Sequence, residues 1–139
     1  MHSDVFLYFA RIDQPKSFQG LSFKENLITN TNSREYIYYR YWQHDVKRPA
    51  HLGIRSKNYK LIYNYGEGLD KSGTSKEKTI PNWEFYDLKN DPYELNDLSS
   101  KDEFKLIVKK MDSVLNQWIF QTNDLGEYPE SFVIQNSTL

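Results

Sequence analysis

YIYYRYW, residues 36–42, puts five aromatic rings into seven residues with no helix-compatible gap, and its reading decides the fold. As a strand it alternates, with Ile37, Tyr39 and Tyr41 on one side and Tyr36, Tyr38, Arg40 and Trp42 on the other. Both sides carry rings, so both are expected to be covered. Downstream, QHDVKRPA is a polar loop closed by Pro49. HLGIR and NYKLIYNY then follow on either side of Ser56 and Lys57, the pattern of a hairpin, with Asn58 available for a positive φ. Gly66 to Asn82 holds three of the six glycines and is expected to be a mobile surface loop. WEFYDL, residues 83–88, is a fourth strand, with Trp83 and Phe85 facing one way and Tyr86 and Leu88 the other.

Asn90, Asp91 and Pro92 force a turn after that strand, because proline fixes φ and biases its predecessor away from helix. Ser100 and Glu103 have capping-box spacing and predict a helix start. Phe104, Ile107, Val108, Met111, Leu115, Trp118 and Ile119 recur at three and four, a stripe wide enough to lie along a sheet, ending near Gln121. Antiparallel strands followed by one amphipathic helix make an α+β fold of two layers. Upstream, Val5 to Ala10 fits one or two turns of helix with no apolar partner nearby, and residues 17–33 read as a connecting loop. The tail beyond residue 122 shows no sustained periodicity.

Composition narrows the function. With 139 residues, the chain has the size of one domain. Eighteen basic against 19 acidic side chains leave a net charge of −1, too little field to hold nucleic acid or an anionic membrane at a distance. The absence of cysteine removes disulfides, thiolate nucleophiles and cysteine-built zinc sites. No run approaches the roughly 18–20 apolar residues of a membrane span. The start MHSDVFLYFARID lacks a basic flank ahead of an apolar stretch, so no secretory signal is visible and a soluble chain is expected. Only two alanines against 16% aromatics argue for a core built from rings on a sheet.

Two long segments then resemble one family. HLGIRSKNYKLIYNY resembles the H-x-G-[IV]-R-x-x-x-[YW]-K-L-I segment of bacterial sulfatases of the arylsulfatase and heparan-sulfatase type, and WEFYDLKNDPYELNDL resembles their W-E-[LF]-Y-D-L-x-x-D-P-x-E-x-x-N-L segment. QGLSF at Gln19 to Phe23 is similar to the string that closes their catalytic domain, and Arg34 with YIYYRYW to the strand that opens their C-terminal subdomain. The resemblance implies a four-stranded antiparallel sheet packed against one C-terminal helix. It divides the chain into the end of a catalytic domain with its linker (1–33), the subdomain (34–122) and a tail (123–139). The implied reaction is hydrolysis of sulfate esters on sulfated glycans, in exported enzymes.

The chemistry of that family is missing from these residues. Its nucleophile, a formylglycine, is made within [CS]-x-P-x-R. Here the five prolines are preceded two positions earlier by Asp13, Lys47, Thr79, Asn90 and Glu127. Asp87, Asp91, Glu94 and Asp97 are spaced for a strand end and turn, not for the alternating oxygens of a calcium loop. No catalytic or metal-binding residue is therefore assigned, and calcium and formylglycine are expected only in a separate catalytic domain, the implied partner. The candidate substrate-binding residues are His51, Arg55 and Lys60, with a sulfated carbohydrate as the ligand. On a strand, His51 and Arg55 share a face and flank Gly53, where a ligand has room to approach. The resemblance implies that the histidine hydrogen-bonds a sugar hydroxyl at the domain junction. The competing reading ties His51 or Arg55 to a neighbouring loop carboxylate and lets Lys60 run along the sheet to solvent. Asp87 and Asp91 read as turn and cap residues, and His44 and Asp45 as weaker loop candidates. The alternative function is a stand-alone carbohydrate-binding or partner-docking module that uses the aromatic cluster.

Overall fold

The computed structural model describes residues 10–13, 28–29, 34–45, 48–69 and 73–124. The chain divides into two units, Met1–Glu35 and Tyr36–Leu139, and the sheet and helix lie in the second. The expected helix at Val5–Ala10 and most of the expected loop at 17–33 fall outside the described residues. Within that loop Ile28 and Thr29 are helical.

Strands β1 (Ile37–Tyr41), β2 (His51–Arg55), β3 (Tyr59–Asn64) and β4 (Asn82–Asp87) form an antiparallel meander in the order β1-β2-β3-β4. Helix α1 (Lys105–Gln121) follows a 3₁₀ turn at Asp102–Phe104. The α+β arrangement is the one read from the pattern. Strand β4 sits one residue earlier at each end than WEFYDL implied.

Register explains why one face is dry. Tyr38, Ile54, Leu61 and Phe85 form one cross-strand row, and Arg40, Leu52, Tyr63 and Trp83 the next. Leu52, Ile54, Leu61, Tyr63 and Phe85 are buried in one cluster with Val108, Met111, Leu115 and Ile119 of α1. Those four helix side chains contribute about 1.5–3 kcal/mol each through burial. Tyr59 stacks on Phe85 at 5.5 Å, and Trp83 tilts against Tyr63 at 5.0 Å.

Three local expectations are corrected. Ser100 and Glu103 form no capping box: neither the 3₁₀ turn nor α1 has a side-chain N-cap, and Lys105 instead pairs with Asp102 at 2.8 Å. Asn58 is not among the positive-φ residues. The β2–β3 turn is closed by the Ser56 hydroxyl, which accepts from the amides of Asn58 and Tyr59. The expected mobile loop is anchored over its described residues. The amide of Leu69 donates to Trp42 O, that of Ser75 to His44 O and that of Thr79 to Gly66 O. Gly66, at φ 72°, lies so close to Thr79 O that no Cβ would fit.

The C-terminal end of α1 carries a device the pattern did not show. Asn123 adopts φ 53°, its amide donates to Phe120 O, and the amide of Asp124 donates to Ile119 O, the two bonds of a Schellman cap. That cap aims Asp124 at β1, where it accepts from the Tyr38 hydroxyl and pairs with Arg40 Nε at 3.0 Å. The Arg40 side chain is only 4% exposed, and its guanidinium lies over the Trp42 ring at 4.7 Å. Burial, then the hydrogen bond to Asp124, pushes the Tyr38 phenol up to about 12.

Candidate functional site

Among the described residues no helix packs on the other face of the sheet, where Ile62 and Asn64 are nonetheless buried. Its side chains fall into three cross-strand rows: Tyr41, His51, Asn64 and Asn82 at one end; Tyr39, Gly53, Ile62 and Glu84 in the middle; Ile37, Arg55, Lys60 and Tyr86 at the other end. The alternation read from HLGIR therefore holds, with Leu52 and Ile54 in the core and His51 and Arg55 on the opposite face. Arg55 and Lys60 are cross-strand partners. His51 is four residues from Arg55 along β2, about 13 Å at the usual rise.

His51 is the most constrained of the three. Its Nδ1 lies 2.6 Å from Pro49 O. A carbonyl only accepts, so Nδ1 donates, and in the neutral ring Nε2 is left as an acceptor. Tyr39 meets the imidazole edge-on at 5.8 Å, and Tyr41 lies tilted against it at 5.4 Å. The half-buried ring thus has a fixed plane, a fixed tautomer and two aromatic walls.

The space over Gly53 is not open as the sequence suggested. A Cβ there would meet Tyr39 Oη at 2.6 Å, so the phenol ring lies across the glycine and fills the gap. The Tyr39 hydroxyl is buried with no hydrogen-bond partner. Burial, then the charges of Glu94 and Glu84, pushes its ionisation up. Glycine on β2 is required by this close approach of a ring from β1, a pairing visible only once register is known.

Lys60 does not run to solvent. Its Nζ donates to Glu94 Oε2 at 2.6 Å, with both side chains mostly shielded. Glu94 holds φ 58°, an uncommon left-handed value for a residue other than glycine. Beside this pair, Glu84 accepts from Asn64 Nδ2 at 2.8 Å and from the Tyr86 hydroxyl at 2.9 Å. Tyr86 is pushed up as well, by burial and then by that hydrogen bond. Arg55 is exposed at the same end as Lys60. Sequence singles out neither Glu84 nor Asn64; it marks Tyr39 only as a ring of the first strand and Glu94 only as a turn carboxylate, and nothing in NDPYELND announces that Glu94 turns back onto β3.

The turn carboxylates do what their spacing indicated. Asp87 accepts from the amides of Lys89 and Asn90 and from Asn90 Nδ2. Asp91 accepts from Asn96, and Asp97 from the amides of Phe85 and Ser99. Oxygens occupied by amides in this way do not fit a calcium site, and no group of three His, Asp or Glu with metal-binding placement occurs among the described residues. His44 is buried, and Asp45 caps a turn by accepting from the Arg48 amide at 2.6 Å. Of the aromatic cluster, Tyr63 and Tyr65 are buried and Trp83 packs against the core, leaving Tyr39 and Tyr41 as the rings beside His51. No helix among the described residues is long and apolar enough to cross a membrane.

Comparison with known proteins gives this arrangement a family. The chain is 34% identical over 128 residues to an N-acetylglucosamine-6-O-sulfatase of Bacteroides thetaiotaomicron, covering 86% of this chain and 20% of the relative. A solved protein in complex with its substrate D-glucosamine-2-N,6-O-disulfate superposes with a TM-score of 0.68 at 30% identity, over 87% of this chain and 23% of that one. A 2-O glycosaminoglycan sulfatase shares the fold at a TM-score of 0.64 and 19% identity, over 87% of this chain and 24% of that one. The chain thus spans about a fifth of the length of the relatives it matches. A family model described as N-sulphoglucosamine sulphohydrolase, C-terminal, matches residues 2–121, and the chain belongs to that family of sulfatase C-terminal domains.

Proposed function

We propose that this chain is the C-terminal portion of a hydrolase of sulfated glycans and forms one wall of its substrate cleft, with His51 as a contact to a sugar hydroxyl. The observation that carries the reading is the His51 ring itself. The bond from Nδ1 to Pro49 O leaves Nε2 as an acceptor on the face opposite α1, between two tyrosines. A hydroxyl donating to Nε2 and a sugar ring lying along Tyr41 would use both features. Relatives named for N-acetylglucosamine-6-O-sulfate and for D-glucosamine-2-N,6-O-disulfate support a sulfated glucosamine as the substrate class.

The nucleophile and metal belong, in this reading, to the catalytic portion. The chain has no [CS]-x-P-x-R, and its turn carboxylates are bound to amides. Its own residues bind and orient; they hold no proton for the bond that breaks. Lys60 is neutralised by Glu94 and Arg55 lies at the far row, so neither is given a substrate contact here.

The test uses a joined enzyme, in which this chain replaces the C-terminal fifth of the B. thetaiotaomicron N-acetylglucosamine-6-O-sulfatase. His51→Ala is expected to lower kcat/KM for sulfate release about tenfold, the worth of one hydrogen bond to substrate. His51→Gln, whose amide oxygen accepts, is expected to recover part of the loss. An unchanged kcat/KM in a folded His51→Ala enzyme would remove the sugar contact.

A further inference from the structure

We propose that His51 sets specificity by exclusion: the sugar position that faces it must carry a free hydroxyl, and a sulfate ester at that position is rejected. This rests on the reading of His51 as a sugar contact and narrows the substrate class, to a glucosamine with sulfate at the cleaved position and an unsulfated hydroxyl opposite the imidazole.

The inference follows from what the atoms around His51 can donate. Nδ1 is committed to Pro49 O at 2.6 Å, so the neutral ring presents a lone pair at Nε2 and no N–H. Turning the ring over would set Cδ2 against Pro49 O and lose that bond. Asn64, the cross-strand partner of His51, is 4% exposed, and its Nδ2 donates to Glu84 Oε1 at 2.8 Å. A carboxylate only accepts, which fixes the orientation of that amide and turns its nitrogen towards Glu84. The Tyr86 hydroxyl is engaged by the same carboxylate at 2.9 Å.

Charge points the same way. Among the described residues, the cross-strand row of His51 and the row beside it hold no cation, and their one formal charge is the Glu84 carboxylate. Lys60 is held by Glu94 at 2.6 Å, and Arg55 lies four residues away along β2, about 13 Å. Arg40 is on the face under α1, shielded and paired with Asp124.

A hydroxyl and a sulfate ester differ in the two properties that these surroundings read. The hydroxyl is neutral and donates to a lone pair. The ester is an anion whose terminal oxygens only accept. Against Nε2 it forms no hydrogen bond, and it brings negative charge beside Glu84 with no cation to offset it. Discrimination of this kind uses a repulsive element together with an attractive one. A cation at this place on β2 would welcome sulfate; an imidazole whose one N–H is committed to a carbonyl does the opposite.

The test uses the joined enzyme and five sugars: 6-O-sulfated N-acetylglucosamine, its 3-deoxy and 4-deoxy forms, and the same sugar with a second sulfate at O3 or at O4. The hydroxyl that faces His51 is the one whose removal makes His51→Ala inert, with equal kcat/KM for that deoxy sugar in the two enzymes. A second sulfate at that position is expected to lower kcat/KM for release of the 6-sulfate about a hundredfold or more. His51→Lys, a cation that donates, is expected to recover about tenfold or more of that ratio at the same position and to leave the ratio at the other position unchanged. His51→Gln, which both donates and accepts, is expected to fall between. A ratio that neither substitution moves overturns the inference, and so does equal turnover of the monosulfated sugar and both disulfated ones. The two readings fail separately. If His51→Ala lowers kcat/KM for the monosulfated sugar while rejection of the second sulfate is the same in every variant, the sugar contact stands and the exclusion falls; if His51→Ala changes nothing on any sugar, both fall.

Discussion

The two faces of the sheet are made from alternate residues of the same four strands, yet they obey different rules. The face under α1 is apolar, apart from Arg40, and is closed by side chains of the helix. The opposite face mixes tyrosines, an imidazole, carboxylates and two cations, with Asn64 bonded to Glu84 across strands, Tyr86 to Glu84 within β4, and Lys60 to Glu94 of the following turn. Burial against a helix rewards apolar area, so residues on the first face are chosen for volume. Groups on the second face hold polar atoms in defined positions through hydrogen bonds and an ion pair. Neighbouring residues such as Phe85 and Tyr86 can therefore carry unrelated roles.

The contrast is sharpest in that pair. Phe85→Ala removes a fully buried ring beside Tyr59 and Phe104, and is expected to cost about 3–5 kcal/mol in urea unfolding. Tyr86→Phe removes one hydroxyl donated to Glu84, and is expected to cost about 1 kcal/mol or less. Equal costs would mean that the face opposite α1 is packed as tightly as the core.

A loss no larger than that of Phe85→Ala is expected at Arg40, the cation in the sheet rows under α1. Asp124→Ala leaves the shielded Arg40 guanidinium without its carboxylate, and about 3 kcal/mol should be lost, the low end for a broken buried pair because Asp124 keeps some solvent. Arg40→Met in the Asp124→Ala background should restore part of it. If Asp124→Ala is neutral, the Schellman cap and not the ion pair holds the end of α1.

Much of the architecture was legible. Ring alternation in YIYYRYW, the Trp83 to Leu88 run and the stripe from Phe104 to Ile119 report burial directly, and burial is what sets strands and helix here. The roles of Asp87 and Asp91 were legible for a similar reason, since short carboxylates beside a proline bond local amides. What was hidden depends on register or on backbone strain. Tyr39 fills the gap over Gly53 only because the two residues are cross-strand partners. Glu94 reaches Lys60 from 34 residues away through a left-handed turn that no residue type announces. The start of α1 misled because Ser100 and Glu103 have the spacing of a box, but a 3₁₀ turn intervenes.

Alkali acts on both faces alike. Tyr38, Tyr39, Tyr65 and Tyr86 all have phenols pushed up, chiefly by burial. A folded-state pKa above the unfolded value of 10.0 favours the protonated form, so this stability is complete below pH 10 and is lost as pH rises towards about 12. Absorbance at alkaline pH should show these four of the 11 tyrosines ionising late and together with unfolding. Free titration of all 11 around pH 10 in a folded protein would contradict the burial assigned to them.

The smallest effect concerns Glu94. Glu94→Gly relieves the left-handed φ while losing the ion pair, and the two should nearly cancel, within about 0.5 kcal/mol. Glu94→Ala loses the pair without that relief and should cost about 1 kcal/mol more than Glu94→Gly. Equal stability of the two variants would show that the turn relaxes when Lys60 lets go.

The central claim is that the sheet face opposite α1 meets the substrate through His51, and the nitrogen resonances of the imidazole read it directly. In a joined enzyme isotopically labelled only in this chain, adding a 6-O-sulfated glucosamine should move the His51 Nε2 signal and leave that of the buried His44 in place. A His51 Nε2 signal that stays still at saturating substrate would contradict the account.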